Sequence, residues 1–237
     1  MELHQHYNKK YVKSDYKEVK PVIVKGYPKN RYEAAVSVSG KGDSFLEIGC
    51  GSGSVMLTFK DYYKRCVGVE LSDIRADEMK KLFNGCNNVD IVTGNIEDKN
   101  LDMQAETFDT ILVNAVVEHL VTPIPTLEYL CALLKKGGRI IIITPNIAKW
   151  TRRIKLLLGY FPSTASFDEG LLRYDKKTKT DLYDDGHLHY FTYRSMKKIL
   201  IERVGLSKVD CRGFGRPSVL TRLFPKLFSD CFVVGIK

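Results

Sequence analysis

A glycine-rich turn after a short apolar run constrains the fold of this chain more than any other stretch. Residues 44–53 read SFLEIGCGSG, with glycines at positions 49, 51 and 53. A short apolar run bounded by glycine is typical of a buried strand. The glycines allow a sharp turn and the close approach of a ligand, because no Cβ stands in the way. In open α/β sheets, ligands bind at the carboxyl ends of such strands.

Strand-like and helix-like patterns alternate after this turn. Further strands are predicted by the apolar runs at residues 66–71, 89–93, 108–115 and 139–144. Helices are predicted between them at residues 54–63, 72–83 and 126–134, the last ended by Gly137 and Gly138. This alternation is typical of a parallel sheet wrapped by helices.

The C-terminal part of the chain predicts a reversed end to the sheet. Residues 207–211 and 230–236 have strand patterns, and the connection between them is too short for a comfortable helical crossover. The two strands are therefore expected to be antiparallel. The expected fold class is α/β, with a doubly wound, mostly parallel seven-stranded sheet and an antiparallel last strand.

We interpret residues 1–237 as a single domain with four parts. Residues 1–43 are expected to cap the core, and residues 44–146 to form the ligand-binding core. Residues 147–190 lack the strand–helix alternation, and a departure of that length is usually functional, so a lid-like insertion is predicted. Residues 191–237 are expected to form a helix and a strand hairpin.

Charge and cysteine content narrow the class of protein. A formal net charge of +9 suits nucleic-acid phosphates, but also a basic surface or a site for an anionic substrate. No nucleic-acid-binding motif is present, so nucleic acid is not the expected partner. The six cysteines form no CxxC pair, which predicts free thiols and a cytoplasmic location.

Membrane insertion is not expected from this sequence. No stretch approaches the roughly 20 apolar residues that span a bilayer. The N-terminal residues lack the apolar segment of a secretory signal. Residues 150–160 form a basic amphipathic segment, so peripheral contact with a membrane surface stays open, beside a lid over an anionic acceptor or a solvated surface helix.

Two nucleotide-linked ligands compete for the glycine turn. A dinucleotide site requires GxGxxG, with the pyrophosphate at a helix N-terminus. Here the third glycine arrives one residue early, and Ser54 stands where the dinucleotide glycine would fall. Residues 45–53 instead resemble motif I of the class I S-adenosylmethionine-dependent methyltransferases, E/D-x-G-x-G-x-G.

The resemblance extends in order across nearly all of residues 44–146. Glu70 closes the second strand, where the family places an acid on the two ribose hydroxyls, and a carboxylate can accept both hydrogen bonds. Gly94-Asn95-Ile96 matches the turn that contacts adenine, with Asn95 where Asp is commoner. Residues 108–115 resemble motif IV, and residues 134–138 (LKKGG) resemble the turn into strand five.

The resemblance implies a Rossmann-like fold and S-adenosyl-L-methionine as the cofactor. Glu47 would hold the ammonium group of the cofactor, although pairing with backbone amides of the glycine turn is an alternative. The residues implied in cofactor binding are Glu47, Gly49, Cys50, Gly51, Gly53, Glu70, Leu71, Asn95, Ile96 and Asn114.

Three later segments resemble one subgroup of the superfamily, the ubiquinone-biosynthesis-like or type 23 methyltransferases. These segments are residues 117–120 (VEHL), 144–146 (TPN) and 187–192 (HLHYFT). The subgroup contains ubiquinone-biosynthesis-type O-methyltransferases, methionine-biosynthesis-associated proteins and methyltransferases encoded with surface-glycan genes.

Three histidines are the candidate catalytic residues: His119, His187 and His189. The methyl group of a sulfonium is already activated, so the enzyme mainly aligns the reactants. An oxygen or nitrogen acceptor also has to lose a proton, which suits histidine. Structural hydrogen bonds, packing or exposure remain alternatives. Metal ligation by the HxH pair with Asp184 and Asp185 is a further alternative, but no metal is predicted.

The predicted function is methyl transfer from S-adenosylmethionine to a small-molecule or sugar-type acceptor. Transfer to oxygen is favoured over nitrogen or carbon, the acceptor could be anionic, and the enzyme is expected to be a monomer or homodimer. The alternatives are a methyltransferase for RNA or another anionic substrate, a non-catalytic S-adenosylmethionine-binding protein and a dinucleotide oxidoreductase.

Overall fold

The computed structural model describes residue 8 and residues 19–101, 103–165, 184 and 186–237. The predicted N-terminal cap and lid-like insertion therefore lie partly outside the described residues, and Asp185, considered above as a metal ligand, lies outside them. The described residues form a seven-stranded sheet, and its strands are β1 (Gly42–Ile48), β2 (Tyr63–Glu70), β3 (Val89–Thr93), β4 (Phe108–Asn114), β5 (Leu134–Thr144), β6 (Lys208–Arg212) and β7 (Cys231–Ile236).

The strand order across the sheet is β3-β2-β1-β4-β5-β7-β6. The pairs β1–β2, β2–β3, β1–β4 and β4–β5 are parallel. The pairs β5–β7 and β6–β7 are antiparallel. These pairings confirm the doubly wound, mostly parallel sheet with its antiparallel last strand. The strand order reverses between β1 and β4, and the crevice at such a reversal is where this class of sheet binds ligands.

Helices cover both faces of the sheet. They are α1 (Arg31–Ser39), α2 (Ser54–Phe59), α3 (Asp73–Leu82), α4 (Pro123–Leu133), α5 (Trp150–Leu157), α6 (Tyr193–Glu202), α7 (Ser218–Leu223) and α8 (Pro225–Phe228), with short 3-10 turns at Ile96–Asp98 and Val117–His119. No helix among the described residues is long and apolar enough to cross a membrane.

Side-chain caps fix where two of these helices begin. The Asn30 side chain accepts hydrogen bonds from the backbone N–H groups of Tyr32 and Glu33, at 3.0 and 2.9 Å, so α1 begins at Arg31. Ser72 caps α3 in the same way, through the backbone N–H of Arg75 at 3.4 Å. Both caps satisfy donors that the first turn of a helix leaves without an intrahelical partner.

The first helix after the glycine turn is shorter than predicted, because Tyr63 belongs to β2. The Tyr63 ring is buried between Phe45 and Phe59, with ring centroids 5.2 and 5.6 Å away. Its hydroxyl donates to the carbonyl oxygen of Ser39 at 2.6 Å. This aromatic cluster holds the chain in the sheet, where the local pattern alone indicates helix.

The expectation that Gly137 and Gly138 end a helix is wrong. Helix α4 ends at Leu133, and both glycines lie inside β5. A Cβ on Gly138 would lie 3.1 Å from the carbonyl oxygen of Phe108, so glycine is needed where β5 approaches β4 closely. The β4–β5 register shifts at this point. Glycine inside a strand commonly marks such an irregularity.

The core lies in two layers, one on each face of the sheet. On one face, Leu130 of α4 and Met196 of α6 are fully buried in a cluster with Ile140 of β5. On the other face, Ala35 of α1 and Phe59 of α2 are fully buried in a second cluster. Strands buried on both faces in this way are typical of parallel sheets. Because β1, β2 and β4 are parallel neighbours, their carboxyl ends lie together at one edge of the sheet.

Candidate functional site

Hydrogen bonds from the glycine turn, residues 49–53, connect the end of β1 with the end of β2. The backbone N–H groups of Gly49 and Cys50 donate to the carbonyl oxygen of Val69, at 2.8 and 3.3 Å. Gly49, Gly51 and Gly53 have φ angles of 70°, 53° and 77°, in the left-handed region that favours glycine. The turn therefore depends on these glycines for its backbone path.

Two of the glycines are also required by close packing. A Cβ on Gly49 would lie 2.6 Å from Cγ2 of Val116, which follows β4. A Cβ on Gly53 would lie 2.5 Å from the sulfur of Met79 on α3. Gly53 does not line the cavity described below, so its position lets α2 and α3 approach each other.

Gly49→Ala should destabilise the protein more than a glycine replacement that only strains the backbone. A left-handed residue with a Cβ costs about 1–2 kcal/mol, and the contact with Val116 adds to that cost at Gly49. Gly85→Ala is the matched control, because Gly85 has φ +84° and no atom within 4 Å of the added Cβ. Urea unfolding measures both variants, and equal losses would contradict the packing role.

Glu70, at the end of β2, accepts two backbone hydrogen bonds from the walls of the site. The Gly51 N–H donates to Oε2 and the Ser72 N–H donates to Oε1, each at 3.0 Å. The Glu70 side chain is thus fixed between the glycine turn and the start of α3. Each carboxylate oxygen has a second lone-pair site, so the group can still accept hydrogen bonds from a ligand.

Two buried groups that line the same cavity as Glu70 have polar atoms without a partner among the described residues. These atoms are Oε2 of Glu47 on β1 and Oδ1 of Asn114 on β4. Burial, and next the negative charge of Glu70, raise the pKa of Glu47 well above its usual range. Buried polar atoms are normally hydrogen-bonded, so both acceptors indicate a missing donor such as an ammonium group. The alternative of Glu47 pairing with turn amides is not observed; Glu70 makes such a bond instead.

Asn95 stands at the end of β3 and caps the 3-10 turn at Ile96–Asp98. Its Oδ1 accepts from the backbone N–H of Glu97 at 3.1 Å, and its Nδ2 donates to Asp98 Oδ1 at 3.3 Å. Asn95 and Ile96 both line the cavity. The amide is therefore fixed by local hydrogen bonds at the rim of the site.

A cavity of about 610 Å³ connects these strand ends. Eleven of the thirteen residues predicted for the site line it: Glu47, Gly49, Cys50, Gly51, Glu70, Leu71, Asn95, Ile96, Asn114, His119 and His187. Gly53 and His189 do not. This volume lies within the range of about 300–1,000 Å³ typical of small-molecule sites.

His119 and His187, which both line the cavity, are in contact with each other. Their ring centroids lie 4.7 Å apart in an edge-to-face arrangement. The backbone N–H groups of Leu188 and His189 donate to the carbonyl oxygen of Glu118, at 2.8 and 3.1 Å, and so hold the two segments together. The sequence placed these histidines near the site, but only the fold brings the two rings into contact.

Hydrogen bonds orient both imidazole rings. Nδ1 of His119 lies 2.7 Å from the carbonyl oxygen of Gly186, which can only accept, so Nδ1 carries the proton. Nδ1 of His187 lies 2.7 Å from the Thr164 hydroxyl. That hydroxyl donates to the Asp184 carboxylate at 2.6 Å, so the His187 Nδ1–H is the donor. In each neutral ring the lone pair is then on Nε2.

Glu118 is a site residue that the sequence analysis did not select. The carboxyl group is 2% exposed, and its Oε2 accepts from the Thr144 hydroxyl at 2.9 Å. Its Oε1 has no hydrogen-bond partner among the described residues. Burial raises the pKa of Glu118 to about 7, although its own backbone N–H and Thr144 lower it. The acid adjacent to His119 was the signal available in the sequence.

An ion pair between the buried Arg152 and the partly exposed Asp230 also lines the cavity. Nη1 of Arg152 donates to Asp230 Oδ1 at 2.7 Å and to the Asn146 carbonyl oxygen at 2.8 Å. The Arg152 side chain is only 4% exposed. Burial raises the pKa of Asp230, but the positive charges of Arg152 and Lys149 lower it by more than that. The pKa of Asp230 is therefore below its usual range.

The N-terminal segment also reaches the site. Asn8 Nδ2 donates to Asp73 Oδ2 at 3.1 Å, and Asn8 Oδ1 accepts from the Ser72 hydroxyl at 2.8 Å. Both partners lie at the start of α3, next to Glu70. The capping role of residues 1–43 stays a prediction.

The sequence and the fold were compared with known proteins. A family described as "methyltransferase domain" matches residues 24–210, which is more than half of the chain. Curated protein sequences gave no significant match. Among solved structures, a SAM-dependent methyltransferase from Archaeoglobus fulgidus aligns with a TM-score of 0.59 and 17% identity, covering 87% of this chain and 91% of that one.

Two further structures show how widely this fold is used. A protein from Thermotoga maritima described as a possible histamine N-methyltransferase has a TM-score of 0.58 and 20% identity, with 87% of each chain covered. The CurJ carbon methyltransferase has a TM-score of 0.54 and 16% identity. The match covers 83% of this chain but only 49% of CurJ, so the chain spans about half the length of that protein.

The family match, the sheet order and the glycine turn agree with one another. They exclude the dinucleotide oxidoreductase considered from the sequence. The unpartnered Glu47 and Asn114 atoms and the glycine cradle fit a ligand that carries an ammonium group and a ribose. The chain belongs to the methyltransferase domain family and is a methyltransferase that depends on S-adenosyl-L-methionine.

Proposed function

We propose that this enzyme methylates a hydroxyl oxygen of a small-molecule or sugar-type acceptor. The observation that carries the proposal is the shared cavity. The residues expected to hold the cofactor and the group Glu118, His119 and His187 line one cavity, and we take the part lined by that second group as the acceptor end. An acceptor at that end would face the methyl group of a cofactor held by the first group.

The cofactor-binding roles extend this proposal to individual residues. Glu70 would accept hydrogen bonds from the ribose hydroxyls, and Asn95 and Ile96 would contact adenine at the rim. Glu47 and Asn114 would accept hydrogen bonds from the ammonium group, which supports a charged Glu47 when the ligand is bound. Gly53 would act indirectly, through the packing of α2 on α3.

Transfer to oxygen is supported by the acid and the two imidazoles at the acceptor end. When bound, S-adenosylmethionine supplies a methyl group on a sulfonium, which is reactive without further activation. As the acceptor oxygen bonds to the methyl carbon, the carbon–sulfur bond breaks and the hydroxyl proton has to leave. A neutral imidazole with its lone pair on Nε2 can accept that proton.

The charges around the cavity favour a neutral polar acceptor over an anionic one. Among the described lining residues, five acids (Glu47, Glu70, Glu97, Glu118 and Asp230) outnumber three arginines (Arg31, Arg75 and Arg152). Arg152 is already paired with Asp230. The lining of the cavity therefore does not carry the net positive charge of the chain.

His119→Asn should lower kcat by about 100-fold or more, because removal of a general base typically costs 10²–10⁴. The affinity for S-adenosylhomocysteine should stay within about twofold, since His119 lies at the acceptor end. The measurement is methyl transfer to pooled metabolites and glycans, followed by mass spectrometry of the products. His189→Asn is the comparison, and an equal loss in both variants would contradict the role of His119.

The same assay separates the remaining alternatives. Binding of S-adenosylmethionine without turnover on any acceptor pool would indicate a non-catalytic binding protein. Turnover on RNA, with affinity falling steeply as salt rises, would indicate the RNA alternative. All six cysteines lie within the described residues as free thiols, which supports the proposed cytoplasmic location. The monomeric or homodimeric state stays a prediction.

A further inference from the structure

Three potential metal ligands converge at the acceptor end of the cavity. Glu118, His119 and His187 each offer one ligand atom, and these atoms all lie within 4.8 Å of one another. Two of the residues are adjacent in the chain, at the 3-10 turn after β4. The third comes from the segment before α6, which the hydrogen bonds to the Glu118 carbonyl oxygen hold in place.

The hydrogen bonds on the far side of both imidazoles are those that metal-ligating histidines usually make. A metal-bound histidine donates its other ring N–H to a carbonyl, carboxylate or similar acceptor, which fixes the ring and its tautomer. His119 has the Gly186 carbonyl oxygen in that position. His187 has the Thr164 hydroxyl, which the Asp184 carboxylate orients in turn.

The carboxyl group of Glu118 supplies an independent observation. Its Oε1 is buried, without a hydrogen-bond partner among the described residues, and Glu118 lines the cavity. A buried carboxylate oxygen is costly to leave unpaired. A cation between the two imidazoles would satisfy it, whereas the Thr144 hydroxyl already serves the other oxygen.

We propose that Glu118, His119 and His187 bind one divalent first-row transition-metal ion. Two imidazole nitrogens and a carboxylate oxygen suit ions such as Mn²⁺, Fe²⁺, Co²⁺ and Zn²⁺ better than Ca²⁺ or Mg²⁺, which prefer oxygen ligands. Ligand distances for these ions are about 2.0–2.2 Å. Starting from atoms within 4.8 Å of one another, each ligand has to move by roughly 0.7 Å or less.

The role of this ion rests on the proposed methylation of a hydroxyl. Three protein ligands leave coordination positions that face the cavity, as in catalytic metal sites. The acceptor oxygen would bind there, and the ion would lower the pKa of the hydroxyl so that its proton is lost to solvent. The ion would occupy the Nε2 lone pairs of His119 and His187, so it would replace the imidazole base proposed above, and His119→Asn would then lose activity through loss of the ion. The ion would also fix the acceptor oxygen in line with the methyl group.

The test is Co²⁺ binding to the chelator-treated protein, without donor or acceptor. His4 and His6 are first replaced by glutamine, because this N-terminal pair can bind Co²⁺ by itself. Visible absorption and calorimetry should show one Co²⁺ per chain. Glu118→Gln, His119→Gln and His187→Gln should each weaken this binding at least tenfold, while His189→Gln changes it by less than about twofold.

Three outcomes would overturn the proposal. One is no saturable Co²⁺ binding in the His4→Gln, His6→Gln background. The second is binding that Glu118→Gln and His119→Gln leave unchanged. The third is binding lost in His189→Gln but not in His119→Gln, which would indicate the HxH pair instead. Binding of S-adenosylhomocysteine to every variant shows that the fold is intact.

The outcome does not depend on the proposed function. Co²⁺ binding lost in the three variants would support the metal site even if no acceptor hydroxyl is methylated. Conversely, full methyl transfer by chelator-treated protein that binds no Co²⁺ would overturn the metal site and leave hydroxyl methylation in place. With both correct, the chelator should abolish methyl transfer, and Co²⁺ or Mn²⁺ should restore it.

Discussion

Glu70→Ala should weaken the binding of S-adenosylhomocysteine by about 100-fold or more. Hydrogen bonds to a charged group contribute about 1.5–3 kcal/mol each, and the proposed ribose contact involves two of them. About 1.4 kcal/mol corresponds to a tenfold change in affinity. The variant also removes the acceptor for the Gly51 and Ser72 N–H groups, which loosens the glycine turn. Isothermal titration measures the change.

Two comparison variants make this result specific. Asp90→Ala removes an acid on β3 that is exposed and paired with Arg65 at 3.3 Å, so it should leave the affinity unchanged. Glu70→Gln keeps an acceptor oxygen and should bind with intermediate affinity. A Glu70→Ala variant that binds S-adenosylhomocysteine as tightly as the wild type would refute the ribose role.

Arg152→Met should lower the free energy of unfolding by about 3 kcal/mol, because it removes a buried guanidinium with three hydrogen bonds and the closest charge partner of Asp230. Arg152 loses its bonds to Asp230, to the Asn146 carbonyl oxygen and to the Ser163 carbonyl oxygen. Lys149 remains 3.5 Å from Asp230 and still neutralises part of its negative charge. Methionine has a similar length and no charge, so the change tests the charge. Urea unfolding gives the difference.

Arg153→Met is the matched control, one residue further along α5. Arg153 is exposed and makes a single described hydrogen bond, to the Ala148 carbonyl oxygen. Replacing Arg153 by methionine should lower the free energy of unfolding by less than about 0.5 kcal/mol. The double variant Arg152→Met, Asp230→Asn should recover part of the lost stability, since the carboxylate that has lost Arg152 is then no longer charged. Equal decreases in the free energy of unfolding for Arg152→Met and Arg153→Met would contradict a stabilising role of the Arg152–Asp230 pair.

The contribution of the ion pair should also depend on pH in a defined direction. The pKa of Asp230 is lower in the folded protein than in the unfolded chain, since Arg152 and Lys149 outweigh the effect of burial. The ion pair therefore stabilises the folded protein fully above about pH 4, the pKa of an aspartate in the unfolded chain. This stabilisation decreases as the pH falls through the lower pKa that Asp230 has in the folded protein. The difference in the free energy of unfolding between the wild type and Arg152→Met should therefore become smaller below about pH 4.

Most of the sheet was predictable from local pattern. The apolar runs that end in Glu47-Ile48, Glu70 and Asn114 are strands at the predicted positions, and the helix predicted at residues 72–83 is α3. Errors arose where distant contacts decide the structure. Tyr63 joins β2 because of an aromatic cluster, and Gly138 lies in β5 because β4 approaches it.

The sequence by itself determined the family, the cofactor and the strand ends that would hold it. Those features are local, because a glycine spacing and an acid at a strand end specify their own turn and ligand chemistry. Only the tertiary structure brought Glu118 and His119 against His187, 68 positions later, since that contact depends on how the segment before α6 folds back. It also separated His189 from the cavity and paired Arg152 with Asp230, so that the positive charge of the chain does not define its acceptor site.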